Sequence, residues 1–238
     1  MACFIRILLP VLVSLSSLGT VHYDIRYKLG QMNLRVATAA FSWEQDSLDG
    51  IPVYHGGAII RTTPFFRLFI GSDYIANTYL RRDDLSPMYF FNPFKNERYE
   101  YVYRQDTGEI ESTSVRGPRQ PVEYDRFPFD GRTMDLLTLL HFIRFLDESL
   151  MKPSMPIHVL ISGKIFPAEI IYQGKDAERF PGIQADRILL RLTEHGLTEN
   201  GSGNEVYLWR SPGEDRCLLG LETELSTGSM HASISSKE

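Results

Sequence analysis

Four polar side chains recur at helical spacing within an otherwise apolar segment, and their types could support chemistry. Asp135, Thr138, His141 and Arg144 are spaced three residues apart, which places them on one face of a helix. A carboxylate, an imidazole and a guanidinium on one face could act as acid, base or ligand-orienting group. The alternative, which we favour, is that this face meets solvent or supplies hydrogen bonds that tie the helix to a sheet.

Cys217 is a further residue whose side chain could be reactive. It precedes Leu218 and Leu219 in what reads as a strand entering the core, so we expect a buried structural thiol. A reactive thiol would need a neighbouring base or cation to lower its pKa. The only other cysteine, Cys3, lies in a segment that we expect to be removed, and an internal disulfide is then excluded.

Other signatures of catalysis or metal binding are missing from the sequence. The six histidines, at positions 22, 55, 141, 158, 195 and 231, show no spacing typical of a known metal site. The chain also contains no Gly-x-Ser-x-Gly nucleophile elbow and no phosphate-binding Gly-Lys-Ser or Gly-Lys-Thr loop. We therefore predict a protein that is not an enzyme and that uses neither a metal nor a cofactor. An envelope hydrolase built on His141 or Cys217 is the less favoured alternative.

Two short segments concentrate phenylalanines and complete the candidate binding residues. Phe65, Phe66 and Phe69 fall within positions 64–70, and Phe90 and Phe91 fall within positions 88–94. Exposed, these rings could line the mouth of an apolar pocket or contact another component of the cell envelope. Buried, they would close one end of the core, which is the interpretation we favour. The predicted ligand-binding residues are Phe65, Phe66, Phe69, Phe90, Phe91, His141 and Arg144.

The polar stripe requires a helix to carry it, and the sequence predicts one over residues 133–148. Thr133 is the expected N-cap, and Asp135 falls in the first turn, where the helix dipole favours an anion. Apolar side chains cover most of the helix surface outside the stripe. Such a helix must be enclosed on more than one side.

The rest of the chain predicts β structure. Residues 21–29 alternate strictly between apolar and polar types, and similar alternation recurs along most of the sequence. Asp49-Gly50 predicts a two-residue hairpin with a type I′ turn. About ten to twelve strands joined by short turns favour one large antiparallel sheet, which normally curls to manage its edges. We predict a mainly β, half-barrel or barrel-like fold wrapped around the helix.

The first 19 residues are predicted to be a signal peptide. They carry one cation, Arg6, then an apolar run and the small-residue spacing Ser17-Leu18-Gly19. A retained membrane anchor is the alternative, but the run is shorter than the roughly 20 residues of a membrane span. No cysteine follows for lipid attachment, and no later segment is long and apolar enough to span a bilayer. We expect residues 20–238 to form one soluble, unlipidated domain in the periplasm of a Gram-negative bacterium.

Charge excludes one class of partner. The formal net charge is −5, and basic residues are mixed with acidic ones, as in Arg81-Arg82-Asp83-Asp84. A nucleic-acid-binding face needs clustered lysine and arginine. Nucleic acid is therefore not an expected partner.

Several local patterns together resemble an exported bacterial family catalogued as domain of unknown function 3108. They include Tyr23, Tyr27 and Gly30 in the opening strand, Asp135-Leu136-Leu137-Thr138 with Arg144, Gly163-Lys164, Val206-Tyr207-Leu208-Trp209, and Gly228-Ser229-Met230-His231-Ala232. The turn at residues 211–215 is longer than the family pattern, and Cys217 stands where an apolar residue or proline is usual. The resemblance implies an exported, mostly β protein with no established activity and no catalytic residues to carry over.

Two functional hypotheses follow. The first is a periplasmic, non-enzymatic binding or carrier protein that encloses an apolar or lipid-like ligand between sheet and helix. The alternative is an interaction module whose core is filled by its own side chains and whose surface binds an envelope protein. An open interior cavity would favour the carrier, and a filled interior would favour the module.

Overall fold

One antiparallel sheet accounts for most of the structure. A computed structural model describes residues 19–70, 73–93, 98–115, 117, 119–193, 204–213 and 216–237. The predicted signal peptide, apart from Gly19, lies outside the described residues, as does His195. Within the described part of the chain, no helix is long and apolar enough to cross a membrane.

The first half of the chain is a run of neighbouring strands interrupted by one short helix. Its elements are β1 (Gly19–Leu29), β2 (Met32–Leu48), β3 (Ile51–Thr62), α1 (Pro64–Ile70), β4 (Tyr74–Arg81), β5 (Pro87–Asn92), β6 (Arg98–Arg104), β7 (Glu109–Val115) and β8 (Glu123–Pro128). Each strand pairs antiparallel with the next along the chain. Helix α1 was not predicted; Pro64 opens it, at the position where a missing N–H costs nothing.

The second half repeats this pattern after a central helix. Its elements are β9 (Thr133–Asp135), α2 (Leu136–Phe145), a 3-10 turn (Glu148–Leu150), β10 (Met155–Ile161), β11 (Lys164–Asp176), β12 (Ala185–Leu192), β13 (Glu205–Arg210), β14 (Leu218–Leu225) and β15 (Gly228–Lys237). Strand β15 pairs with β1, so the two halves join into one sheet. The described residues contain 15 strands, more than the ten to twelve that we predicted.

Chain connectivity forces this sheet to curl. Strands β8 and β9 are its two edges, yet only residues 129–132 separate them in sequence. A flat sheet of this many strands would be about 65 Å wide, whereas the short connection reaches at most about 18 Å. The edges therefore lie near each other, although the sheet does not close. The predicted mainly β, barrel-like fold around one helix is confirmed.

The Asp49-Gly50 hairpin has the predicted geometry. Asp49 and Gly50 have φ values of 51° and 80°, both in the left-handed region that a type I′ turn requires. Leu48 pairs with Ile51, which fixes the register of β2 against β3, including the pair Glu44 and His55. Alternate side chains on these strands therefore face the helix side of the sheet, called the inner face, or the outer face.

Helix α2 is shorter than predicted at both ends. Thr133 is not the N-cap, because Thr133–Asp135 instead pairs in parallel with His158–Leu160 of β10. Asp135 caps the helix, and its Oδ1 accepts a hydrogen bond of 2.9 Å from Thr138 N. At the other end, Glu148 belongs to the 3-10 turn. The tertiary pairing of β9 prevails over the local helix preference at the N-terminus.

The interior is filled by this helix and the inner face of the sheet. Leu139 and Ile143 are fully buried among apolar side chains of β10 to β13. Leu137 packs in a separate cluster with Tyr101 and Ile110 of β6 and β7. Because strands from both halves pack on one helix, the helix is enclosed on more than one side, as its apolar surface predicted.

Candidate functional site

The polar stripe of α2 is buried along its whole length. Asp135, Thr138, His141 and Arg144 are 2, 0, 3 and 6 % exposed. The interpretation that this face meets solvent is therefore wrong. The stripe instead contacts the inner face of strands β2, β3, β4 and β6, through the partners described below.

The N-terminal part of the stripe is saturated by hydrogen bonds within the chain. Tyr103 OH donates to Asp135 Oδ2 at 3.1 Å, and the Thr138 hydroxyl bonds both Asp135 and Thr78 of β4. Burial raises the pKa of Asp135 to about 6, although the hydrogen bonds from Thr138 and Tyr103 act in the opposite direction. This network anchors the helix to the sheet, because its polar groups are already engaged by one another.

His141 packs against a strand position that has no side chain. A Cβ atom built on Gly56 of β3 would lie 2.3 Å from His141 Nε2, so only glycine lets the ring lie there. Nε2 is buried without a hydrogen-bond partner. Burial first, and then the neighbouring Arg144 and His55, lower the pKa of His141 to about 3. His141 is therefore a neutral packing residue at physiological pH.

Two arginines organise the C-terminal half of the helix. The Arg144 guanidinium lies over the Trp43 ring, 3.2 Å from its centroid. Arg210, fully buried, donates to the carbonyl oxygens of Ile143 and Leu146 at 3.0 and 2.6 Å and pairs with Asp186 Oδ2 at 2.8 Å. Its guanidinium thereby satisfies carbonyls that the end of a helix leaves without partners.

The candidate phenylalanines do not form one pocket. Phe65 of α1 is 66 % exposed and contacts Phe66 edge to face, whereas Phe90 of β5 is buried and stacked on Tyr101. Phe91, on the opposite face of β5 from Phe90, lies beneath the Arg98 guanidinium. Phe69 belongs to α1, but its side chain lies outside the described residues. Among the predicted binding residues whose side chains are described, His141 and Arg144 lie on one face of α2, and Phe65 contacts Phe66 on α1.

Cys217 is a buried thiol. It is 3 % exposed and packs with Val21, Tyr23, Ala39 and Trp43. Its Sγ lies 3.7 Å from the Leu218 carbonyl oxygen. The expectation of a structural thiol agrees with this environment.

The outer face carries a groove of about 380 Å³ across β1, β15 and β14. Gly220 is part of its lining, and a Cβ there would lie 3.1 Å from the ring of Phe180. Phe180 arrives from the loop between β11 and β12 and contacts Trp209 edge to face. Glycine thus lets an aromatic ring lie directly against the sheet.

Basic side chains surround this groove. Arg26, Lys28, Arg179 and His231 belong to its lining. Glu222 pairs with Arg179 at 2.7 Å and with His231 at 3.4 Å, and Asp24 lies 4.0 Å from Arg26. Lys28 has no carboxylate partner among the described residues. The lining of this groove, which we call the basic groove, therefore contains Arg26, Lys28 and Arg179 and, within the described part of the chain, no carboxylate, on a chain of net charge −5.

Exposed apolar side chains lie on the hairpin that carries Lys28. At the tip of the β1–β2 hairpin, Leu29, Met32 and Leu34 are 41, 51 and 39 % exposed. The tip continues directly from Lys28, which pairs with Asn33, another groove residue. Because side chains alternate along a strand, the apolar side chains of the tip and the groove residues Lys28 and Asn33 lie on opposite faces of one hairpin.

A second depression, of about 200 Å³, lies on the outer face over Gly57. His55 forms one wall: its Nδ1 is 2.9 Å from Glu44 Oε1 and its Nε2 is 3.2 Å from Asn77 Oδ1. One ligand atom from each of Glu44, Asp46 and His55 lies within 4.8 Å of the others, close enough to hold a metal ion. No other group of this kind occurs among the described residues.

Sequence reasoning missed this cluster although a signal was present. A two-residue hairpin at Asp49-Gly50 pairs residues whose numbers sum to 99, so it places Glu44 opposite His55. Alternation puts Asp46 on the same face as Glu44. Arg210 was missed as well, although it follows Val206 and Leu208 at strand spacing and therefore had to point inward.

Comparison with known proteins supports the fold alone. No family model matches the chain, and no curated protein matches it. A solved structure, described as a β-barrel-like protein of domain of unknown function DUF1849 from Brucella abortus, superposes with a TM-score of 0.57. The two chains are 9 % identical over 92 % of this chain and 96 % of that one. The chain is therefore similar in fold to a β-barrel-like domain of unknown function, and its membership of the 3108 family stays a prediction.

Proposed function

We propose that the chain is an exported, non-enzymatic binding protein that recognises an anionic, lipid-like ligand on the outer face of its sheet. The observation that carries the proposal is the basic groove, where cationic side chains meet an aromatic wall on an otherwise acidic protein. Export rests on the predicted signal peptide, and the ligand class rests on the chemistry of the groove.

The filled interior favours a ligand-binding site on the outer face of the sheet over one between the sheet and the helix. A carrier that encloses its ligand needs room beside α2. Leu139 and Ile143 on one side of this helix, and Thr138 and His141 on the other, are instead buried against the sheet. A ligand in the interior would have to displace these contacts.

The basic groove and the hairpin tip offer complementary chemistry to an anionic amphiphile. Lysine and arginine near an anionic lipid surface each contribute about 1 kcal/mol of attraction. The exposed Leu29, Met32 and Leu34, on the opposite face of the same hairpin, can bury apolar area when they meet an acyl or interfacial region. The end of one hairpin thus offers cationic side chains on one face and apolar side chains on the other to the two parts of such a ligand.

The environment of the titratable and thiol groups supports a role other than catalysis. Asp135 is bonded to Thr138 and Tyr103, His141 is covered by the backbone of Gly56, and Cys217 is buried. A general base or nucleophile must be within hydrogen-bond reach of a substrate. Burial of these groups opposes such contact.

Vesicle binding tests the proposal. We expect the protein without its signal peptide to sediment with phosphatidylglycerol vesicles and to bind phosphatidylcholine vesicles at least tenfold more weakly. Arg26→Glu combined with Lys28→Glu should reduce binding to the anionic vesicles at least tenfold, and added salt should weaken binding of the wild type. Lys164→Glu, which makes one of the same charge changes at the start of β11, is the control. Soluble glycerol phosphate as competitor separates headgroup recognition from general attraction to the surface.

Equal binding to both kinds of vesicle, or full binding by the Arg26→Glu, Lys28→Glu protein, would overturn the proposal. Mass spectrometry of gently purified protein gives an independent check. A lipid that co-purifies equally with the wild type and with this variant would place the ligand elsewhere and favour the enclosed carrier.

The second candidate is a module that binds an envelope protein. Its support is the filled core together with Phe65, which is 66 % exposed on helix α1. A pull-down with Phe65→Ser tests this candidate, because loss of a partner that Lys164→Glu retains would assign binding to α1. Partner recovery unchanged by Phe65→Ser would remove α1 from consideration.

A further inference from the structure

We propose that Glu44, Asp46 and His55 form a binding site for a divalent transition-metal ion, and we commit to Zn²⁺. The site lies on the outer face of strands β2 and β3, on the depression over Gly57. It is separate from the basic groove, so it goes beyond the function proposed above.

The hairpin backbone brings the three ligands together. Glu44 and Asp46 are two residues apart on β2, which places both carboxylates on one face. His55 on β3 pairs directly with Glu44, and the two-residue turn at Asp49-Gly50 fixes this register. The arrangement therefore depends on a short, regular hairpin whose geometry leaves little freedom to the backbone.

The His55 ring is oriented as a metal ligand should be. Its Nδ1 faces the carboxylates, and its Nε2 can donate to Asn77 Oδ1 at 3.2 Å. Metal-binding histidines usually donate the second ring N–H to an oxygen acceptor, which fixes the tautomer and leaves the other nitrogen free to coordinate. The Tyr79 ring, stacked on His55 with centroids 4.5 Å apart, holds the imidazole plane. Two residues from a third strand thus position a ring whose free nitrogen points at two acids.

The distances and ligand types fit a borderline cation. Ligands about 2.1 Å from Zn²⁺ in a tetrahedral site lie roughly 3.4 Å apart. The separations in the cluster range from 2.9 Å to at most 4.8 Å, and side-chain rotation of the exposed Asp46 can make up the difference. One imidazole with two carboxylates suits Zn²⁺ better than the all-oxygen preference of Ca²⁺ or Mg²⁺.

Charge also favours a cation at this position. An oxygen of the Glu44 carboxylate and one of the Asp46 carboxylate lie within 4.8 Å of each other, and like charges at this separation repel. A divalent ion would neutralise both. The depression over Gly57 leaves space beside the ligands, so a water molecule can complete the coordination.

Zn²⁺ titration against a chromophoric chelator, with protein first dialysed against chelator, tests the site. We expect one Zn²⁺ per chain in the wild type. His55→Ala and Asp46→Asn should each weaken binding at least 100-fold; Asp46 is exposed, so its substitution leaves folding intact. Asn77→Ala should weaken binding about 10- to 100-fold, whereas Asn77→Asp, which keeps the acceptor for Nε2, should restore it.

His158→Ala is the matched control. His158 Nδ1 lies 3.2 Å from Asp130 Oδ2, but the described residues offer this pair no third ligand to complete a site. Loss of binding in the Asp46 and His55 variants with retention in His158→Ala would support the site. Equal affinity in all of these proteins, or no one-to-one complex with the wild type, would overturn it. Because no vesicle enters the titration, its failure is distinct from failure of the proposed function.

Discussion

The contact between Gly56 and His141 offers a sharp test of how α2 meets the sheet. A methyl group at position 56 would lie 2.3 Å from Nε2 and 2.4 Å from Cδ2 of His141. Carbon atoms in favourable contact are about 3.5 Å apart or more, so the strand or the ring must move by about 1 Å. The substitution Gly56→Ala therefore probes the closeness of this approach.

This overlap predicts how much two single variants and their double variant lose in free energy of unfolding. Inserting a methyl group into a packed core typically costs about 1–3 kcal/mol, which is the destabilisation that we expect for Gly56→Ala. His141→Ala removes a buried ring and should cost about 2–4 kcal/mol. In the double variant the overlap is gone and the new methyl group occupies part of the vacated space. The double variant should therefore be about 1–3 kcal/mol more stable than the sum of the two single effects.

Urea unfolding of the four proteins, followed by circular dichroism, measures this coupling energy. Gly57→Ala supplies the control, because its methyl group would point to the outer face and meet Ser42 Oγ at 2.8 Å. Combined with His141→Ala, this control should be additive within about 0.5 kcal/mol. Additivity in the Gly56 and His141 cycle would refute the close packing of the ring on the strand.

Three further predictions concern buried groups. His141 has a pKa of about 3 in the folded protein against 6.5 for the free side chain, so its contribution to stability should be lost as pH falls from 6.5 towards 3. His141→Leu should reduce the difference between the free energies of unfolding that urea denaturation gives at pH 7 and pH 4. Arg210→Met should cost about 3–5 kcal/mol by leaving Asp186 buried with fewer partners, whereas Arg191→Met, which breaks an exposed pair, should cost about 1 kcal/mol or less in the same assay. Cys217 should react with a maleimide far more slowly in the native protein than in urea, and equal rates would contradict its burial.

Local patterns were enough to predict the general architecture. Alternation along residues 21–29 and the Asp49-Gly50 turn predicted strands and a hairpin that the structure contains. The apolar surface of the helix predicted enclosure, and Leu139 and Ile143 are fully buried. These features depend on residues close in sequence, which is why one sequence sufficed.

The helix ends and the polar stripe could not be predicted in the same way. Thr133 has the side chain of an N-cap, but pairing with His158 makes it part of a strand. The stripe could have met solvent or protein, and its burial depends on Thr78 and Tyr103, which are distant in sequence. Tertiary contacts decide both questions.

The basic groove needed the register of several strands at once. Lys28, His231 and Gly220 come from β1, β15 and β14. A short turn joins β14 to β15, but β1 and β15 are far apart in sequence. Only the pairing of the first strand with the last places these residues together. A single sequence carries no direct signal for that pairing.

The segment that connects β8 to β9 explains why the sheet curls but leaves an open seam between these two strands. The residues that join the two edges run across the seam, and Phe129 there is 8 % exposed and contacts Tyr103 edge to face. Phe129 N also donates to Gly108 O, and Arg132 O accepts from His158 N, so the connection bonds to both sides. Direct pairing of β8 with β9 would compete with these contacts. The short β9 and the charged, Pro-ended β8 are unfavourable templates for another strand. The seam is thus stabilised by its own connection, and the edges need no partner chain to be protected.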